Sequence, residues 1–271
     1  MRAGPQDFEQ GSLRRQLWLV PSQDKLVLMR TIVARPPGDG PFPLVLINHG
    51  TTQHRDQRET MRQPVYAAAT AWFVRRGYAV AVPQRPGHGE TGGPYFEANS
   101  IRGGCGGSDY RRSGLATADT IQAAIDFFTQ QPFVKRTGVI VVGQSAGGWG
   151  ALALSSRNPH NVAGIINFAG GRGGRVNSRP NYNCAPEKLV ETARIFGSTA
   201  RIPVLSIYTE NDSFFAPALS RQYNDAYRSA GGKVDYRLLP AFGADGHSLL
   251  GSRDGPPVWA PIVEEFLARL R

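Results

Sequence analysis

The segment "VIVVGQSAGGWGALAL", residues 139–154, runs four β-branched residues into a glycine turn carrying one serine, then into a helix-forming run. Gly143-Gln144-Ser145-Ala146-Gly147 fits G-x-S-x-G, the pattern of a nucleophilic hydroxyl raised on a tight strand-to-helix turn. The chemistry dictates the residue types. A serine at such a turn holds a strained backbone, so its neighbours must be small. The helix behind it points its first amides, and the positive end of its dipole, at a developing oxyanion. The bland alternative is a glycine turn that closes a strand, with Ser145 as a helix cap.

An activated serine needs an imidazole within hydrogen-bond reach and a carboxylate to orient that imidazole. Five histidines are available: His49, His54, His88, His160 and His247. His247 lies in the glycine-rich "FGADGHSLL", after the last strand-like run and before the last helical one. His160, in "RNPHN", reads as a surface connector. Among the acids, Asp212 in "IYTENDSFFAP" follows a strand end, with Glu210 as the near alternative. Asp245 stands only two residues before His247, a poor geometry for reaching its ring nitrogen. The candidate order is Ser145, Asp212, His247.

These residues need a scaffold that brings distant loops together. Apolar runs recur at 15–20, 25–34, 42–50, 78–84, 138–144, 162–170, 202–210 and 234–242. From residue 42 onward most are continuous rather than alternating, as in parallel strands buried on both faces. Helical patterns fall between and after them, at 64–76, 115–131, 146–157, 186–197, 217–230 and 257–271. The alternation predicts an α/β fold with a mostly parallel, eight-stranded sheet, helices on both faces and short antiparallel strands at the front. No repeat or linker divides residues 1–271, so one domain is expected, with an N-terminal extension over about 1–14 and lid-like loops at about 91–114 and 170–186. In such sheets, functional groups gather beyond the carboxyl ends of the strands, and all three candidates fall there.

At this point the chain resembles the α/β-hydrolases, within them the dienelactone-hydrolase and prolyl-oligopeptidase-like esterase branch. The resemblance runs from about residue 25 to the C-terminus. It rests on "LINHG" ending at Gly50, "RPGHGETGG" at 85–93, "GQSAGG" at 143–148, "ENDSFF" at 210–215 and "DGHSLL" at 245–250. It implies Ser145 as nucleophile, Asp212 as acid and His247 as base. It also implies an oxyanion hole from the backbone N–H of Thr51, in "NHGTTQHRD", and of Ala146. Dienelactone hydrolases proper carry a cysteine nucleophile, so serine here favours ordinary ester cleavage through an acyl-enzyme. A serine peptidase or amidase is the alternative enzyme, although such peptidases usually carry an added propeller or cap and nothing before residue 25 could form one. A non-catalytic binding protein on the same scaffold is the rival of another class. His49 is expected to brace the loop at Gly50. His88 is a possible substrate-binding residue.

Composition narrows the partners. With 41% hydrophobic and 19% charged residues the chain reads as globular, and no run is long and apolar enough to span a membrane. The net charge of +10 invites a nucleic-acid reading. Against it, the arginines are scattered, only four lysines occur, and no recognition module is present. A small-molecule ester is the expected partner, without cofactor or metal, and the oligomeric state is not readable. Cys105 and Cys184 fit neither a zinc site nor a CxxC pair. Both lie in loops leaving one edge of the sheet, which predicts a disulfide beside the site and an exported, secreted or periplasmic protein whose signal has been removed. The same two loops carry Arg102, Arg111 and Arg112, then Arg172, Arg175 and Arg179, with Asn181 and Asn183. Arg172 and Arg175 are the candidate binders of an anionic or hydroxylated ester. Pairing with acids such as Glu97 and Asp109 is the competing expectation.

Overall fold

Most of the apolar runs from residue 42 onward become strands buried on both sides. In the computed structural model, which describes residues 2–52, 54–99 and 104–270, the five residues of β4 (Leu44–Asn48) are all buried, as are those of β5 (Ala79–Pro83). Alternate side chains serve opposite cores. Leu44 and Leu46 of β4 face the core beneath α3 (Tyr110–Phe128), α4 (Ala146–Ser155), α5 (Pro186–Thr199) and α6 (Pro217–Ser229). Val45 and Ile47 face the core beneath α2 (Ala67–Val74) and α7 (Pro256–Ala268). The parallel series continues through β6 (Val139–Gln144), β7 (Val162–Phe168), β8 (Val204–Thr209) and β9 (Val234–Leu239).

Among the described residues the sheet has nine strands rather than eight, ordered β1 (Gly4–Pro5), β2 (Gln16–Pro21), β3 (Leu28–Ala34), β5, β4, β6, β7, β8 and β9. The addition is β1, which pairs antiparallel with Trp18 and Leu19 of β2. A glycine-proline pair carries no hydrophobic period, so residues expected as an extension are in fact a sheet edge. Antiparallel β3 joins this front to β5. Two further departures are local. Helix α1 (Arg55–Glu59) buries no residue and so leaves no periodic signal. Helix α3 starts at Tyr110, five residues early, where the Asp109 carboxylate accepts from the Arg112 N–H at 2.8 Å. Asp109 is therefore a helix cap, and Arg111 and Arg112 are exposed. Arg102 lies outside the described residues. No described helix is long and apolar enough to cross a membrane.

Cys105 and Cys184 form the expected disulfide, bridging 79 residues. Around it the Tyr110 hydroxyl donates to the Cys184 carbonyl, and the Cys184 N–H donates to Gly173 O at 2.8 Å. Titration of the unfolded, unreduced protein should find no free thiol. Cys184→Ser should lower the unfolding free energy by up to about 4 kcal/mol on the loop-entropy model. Unchanged stability by urea unfolding would mean that the hydrogen bonds hold these loops unaided.

Candidate active site

Ser145 sits where β6 gives way to α4, with φ 53° and ψ −121°. A non-glycine residue at positive φ costs on the order of 1–3 kcal/mol, and the surroundings fix it there. Its N–H donates to Phe168 O at 3.0 Å, while its carbonyl accepts from Trp149 N at 2.9 Å and Gly171 N at 3.1 Å. The flanking glycines are dictated by contact: a Cβ at Gly143 would lie 2.4 Å from Gly147 O, and one at Gly147 2.3 Å from Asn48 O.

His247 stands in a short turn after β9. Its Nδ1 lies 3.1 Å from both Asp212 oxygens, so Nδ1–H donates to a carboxylate that is fully buried. Asp212 is held in turn, its Oδ1 accepting from the N–H groups of Phe214 and Phe215 at 2.8 and 3.0 Å. The Phe214 ring stacks on the imidazole, centroids 4.0 Å apart. The His247 carbonyl accepts from Gln144 Nε2 at 2.7 Å, and Gln144 Oε1 accepts from the Tyr66 hydroxyl at 2.7 Å. The His247 loop is thereby tied to the residue preceding Ser145. Among the described residues Ser145 Oγ has no hydrogen-bond partner. Catalytic hydrogen bonds of this type commonly close only around substrate.

The competing acids have other duties. Glu210 is exposed. Asp245 accepts from the N–H groups of His247 and Ser213, at 3.0 and 3.1 Å, and so shapes the turn without reaching the ring. His160 is exposed beside Asp126 and Arg136, on a different pocket.

A cavity of about 330 Å³ opens over Ser145, lined by Thr51, Ala146, Arg172, Arg175, Phe214 and Phe215 among others. Arg172 contributes to this wall, but both of its terminal nitrogens are engaged. Nη2 donates to Glu97 at 2.6 Å and Thr117 Oγ1 at 2.9 Å, and Nη1 to Tyr95 and the Glu97 carbonyl at 3.2 Å. The expected pairing with Glu97 is thus present. Arg175 is a third exposed, bonds to Ser213 Oγ at 3.2 Å and lies 3.9 Å from Asp245. Asn183 is spent on the Phe214 carbonyl, and Arg179 is exposed over Tyr182. His54 lines the cavity from its rim.

His88 is buried behind Thr51 and does not line the cavity. Its Nε2 accepts from Thr51 Oγ1 at 2.7 Å. Burial pulls it down from the ordinary histidine value of 6.5 to about 4. His49 is buried and likewise lowered well below the ordinary histidine value, by desolvation first and then by the Arg85 charge. Burial alone would raise Glu97, but Arg85 and Arg172 outweigh it and hold its carboxyl well below the ordinary range. This buried ion cluster joins residues 12 and 75 apart in sequence, and its only local sign is an arginine at a strand end. Among the described residues no three His, Cys, Asp or Glu side chains cluster to hold a metal.

A family model described as the alpha/beta hydrolase family matches residues 44–270. The chain belongs to the alpha/beta hydrolase family. No curated protein matches its sequence. Among solved structures, this hydrolase is similar to an esterase of Pyrococcus furiosus, with 15% identity, TM-score 0.66 and 99% of both chains covered. It is also similar to a Klebsiella pneumoniae protein named as a candidate dienelactone hydrolase, with 14% identity, TM-score 0.61, and 93% of this chain and 97% of that one covered. The acylaminoacyl peptidase of Pyrococcus horikoshii aligns at 14% identity and TM-score 0.66, over 96% of this hydrolase but 42% of the peptidase. At these identities the likeness is one of fold.

The two buried histidines make stability depend on pH. Below about 6.5 the unfolded chain takes up protons that folded His88 refuses until about 4, so stability is full above this window and falls as pH drops through it. The His88 depression alone corresponds to about 3 kcal/mol, and His49 acts in the same direction. Urea unfolding at about pH 7, 5.5 and 4.5 should show a steadily falling midpoint. A constant midpoint would contradict neutral, buried imidazoles.

Proposed function

We propose that this alpha/beta hydrolase is a serine esterase that cleaves carboxylic esters of small molecules through an acyl-enzyme. The observation that carries the reading is His247, its Nδ1–H held by buried Asp212 in a loop tied to Gln144, next to Ser145. In the reaction, His247 Nε2 takes the Ser145 proton as Oγ attacks the carbonyl carbon. The oxyanion is met by the backbone N–H groups of Ala146 and Thr51. His247 then protonates the departing alcohol, and water repeats the steps to release the acid and restore Ser145.

Similarity to the Pyrococcus furiosus esterase over the full length of both chains supports ester cleavage. The acylaminoacyl peptidase likeness supports the second reading, an amidase or peptidase on the same triad. The Cys105–Cys184 bridge favours an oxidising compartment, hence export. Arg175, a half-buried cation lining the cavity, would meet an anionic substituent on the substrate.

A fluorophosphonate probe should label wild type and not Ser145→Ala, and that substitution should lower kcat on p-nitrophenyl esters by about 10⁴–10⁶. An unlabelled wild type would favour a binding protein, and turnover of anilides in preference to esters would favour the amidase. Arg175→Ala should raise KM for an anionic half-ester several-fold and leave a neutral acetate nearly unchanged. Equal effects on the two substrates would assign Arg175 to the loop alone.

A further inference from the structure

The ester mechanism leaves a buried cluster unused directly behind the Gly50–Thr51 step. The cavity wall comes very close to the nucleophile here: a Cβ on Gly50 would lie 3.1 Å from the Ser145 Cβ. The step is gripped at both ends. On one side Arg85 donates its N–H to His49 Nε2 at 3.0 Å and its Nη1–H to the His49 carbonyl at 2.6 Å. On the other side the Thr51 hydroxyl meets His88 Nε2.

The direction of that last bond follows from the far side of the ring. His88 Nδ1 faces the carbonyls of Arg85 and Pro86 at 3.2 and 3.1 Å, so Nδ1 carries the proton. Nε2 is then a lone pair, and the Thr51 hydroxyl donates to it. Arg85, whose carbonyl anchors His88, is itself chelated by Glu97. Glu97 also binds Arg172, which follows Gly171, and the Gly171 N–H holds the Ser145 carbonyl. One carboxylate therefore fixes both walls beside Ser145. Buried ion clusters are poor sources of stability compared with apolar packing, so this cluster's location calls for a geometric role.

We propose that His88 is a positioning residue for the oxyanion loop: by accepting the Thr51 hydroxyl it fixes the Thr51 backbone N–H beside Ser145. This rests on the esterase reading, and it concerns the transition state rather than substrate capture. A displaced donor weakens the oxyanion contact while leaving ground-state binding nearly unchanged.

The test compares full-length wild type, Thr51→Val and Thr51→Ser, each checked by thermal melting. The readouts are kcat and KM for p-nitrophenyl acetate and the affinity for a trifluoromethyl ketone. Ser145 Oγ adds to that ketone, its carbonyl oxygen becomes the oxyanion, and the serine proton passes to His247. Thr51→Val should lose about 10- to 100-fold in kcat, with KM within about twofold, and weaken the ketone by the same factor. Thr51→Ser, which keeps the hydroxyl, should exceed Thr51→Val by at least about tenfold. Serine no better than valine, or a loss confined to KM, overturns the positioning role and leaves the esterase intact. A wild type that takes neither ester nor ketone overturns the esterase reading, and this one with it. Independently of activity, ¹⁵N shifts should show His88 protonated at Nδ1. A ring protonated at Nε2 would overturn the hydrogen-bond direction on which the inference depends.

Discussion

The backbone of Ser145 turns at positive φ only because three neighbouring strands close on it. Strand order makes this possible. β4, β6 and β7 are adjacent, so the Asn48 carbonyl, the Gly143 backbone and the Phe168 carbonyl all arrive at the same end of the sheet. Glycines at 143 and 147 let the strand ends approach to distances no side chain would allow. Three main-chain hydrogen bonds to Ser145 then offset a strain of on the order of 1–3 kcal/mol, each net bond contributing about 1 kcal/mol. The hydroxyl is raised by this crossing, and everything else at the site is placed relative to it.

Charge is partitioned around the hydroxyl. On the His247 side, Asp212 is enclosed and its Oδ1 takes two backbone N–H groups besides the imidazole, which hold the carboxylate against the ring. On the Thr51 side stand two guanidinium groups and one carboxylate, Arg85, Arg172 and Glu97, all buried. These three carry a surplus positive charge behind the cavity wall at Thr51; on the proposed mechanism that is where a negative oxygen develops. An interior of low effective dielectric lets such a fixed charge act more strongly than it would in water.

Much of this was legible in the sequence, and the failures have physical reasons. Continuous apolar runs marked strands with two buried faces because a buried parallel strand needs no polar side. Ser145, Asp212 and His247 stand out as candidates because each lies in a loop just past such a run, and the fold brings Asp212 and His247 into contact. Gly4–Pro5 and Arg55–Glu59 escaped because neither buries a repeating face. For Arg172 the sequence leaves two expectations open, a ligand group or a partner of Glu97, and its charge is in fact shared with Glu97, a residue 75 positions away. Pattern along the chain reports local period, and a contact of that span has none. The Phe214 stack on His247 was hidden for the same reason.

That stack couples pocket shape to the orientation of His247. Phe214 is at once a wall of the cavity and the surface against which the imidazole lies flat. Its position is set from the opposite loop, where Asn183 Nδ2 donates to the Phe214 carbonyl at 2.7 Å and the Asn181 N–H donates to Ser213 O at 2.7 Å. Cys184, next in the chain, pins that loop to Cys105. A continuous line of covalent and hydrogen bonds therefore runs from the disulfide through Asn183 and Phe214 to Asp212 and His247. Any change that widens the cavity at Phe214 also removes the face supporting the imidazole, so cavity shape and His247 orientation are linked at this residue.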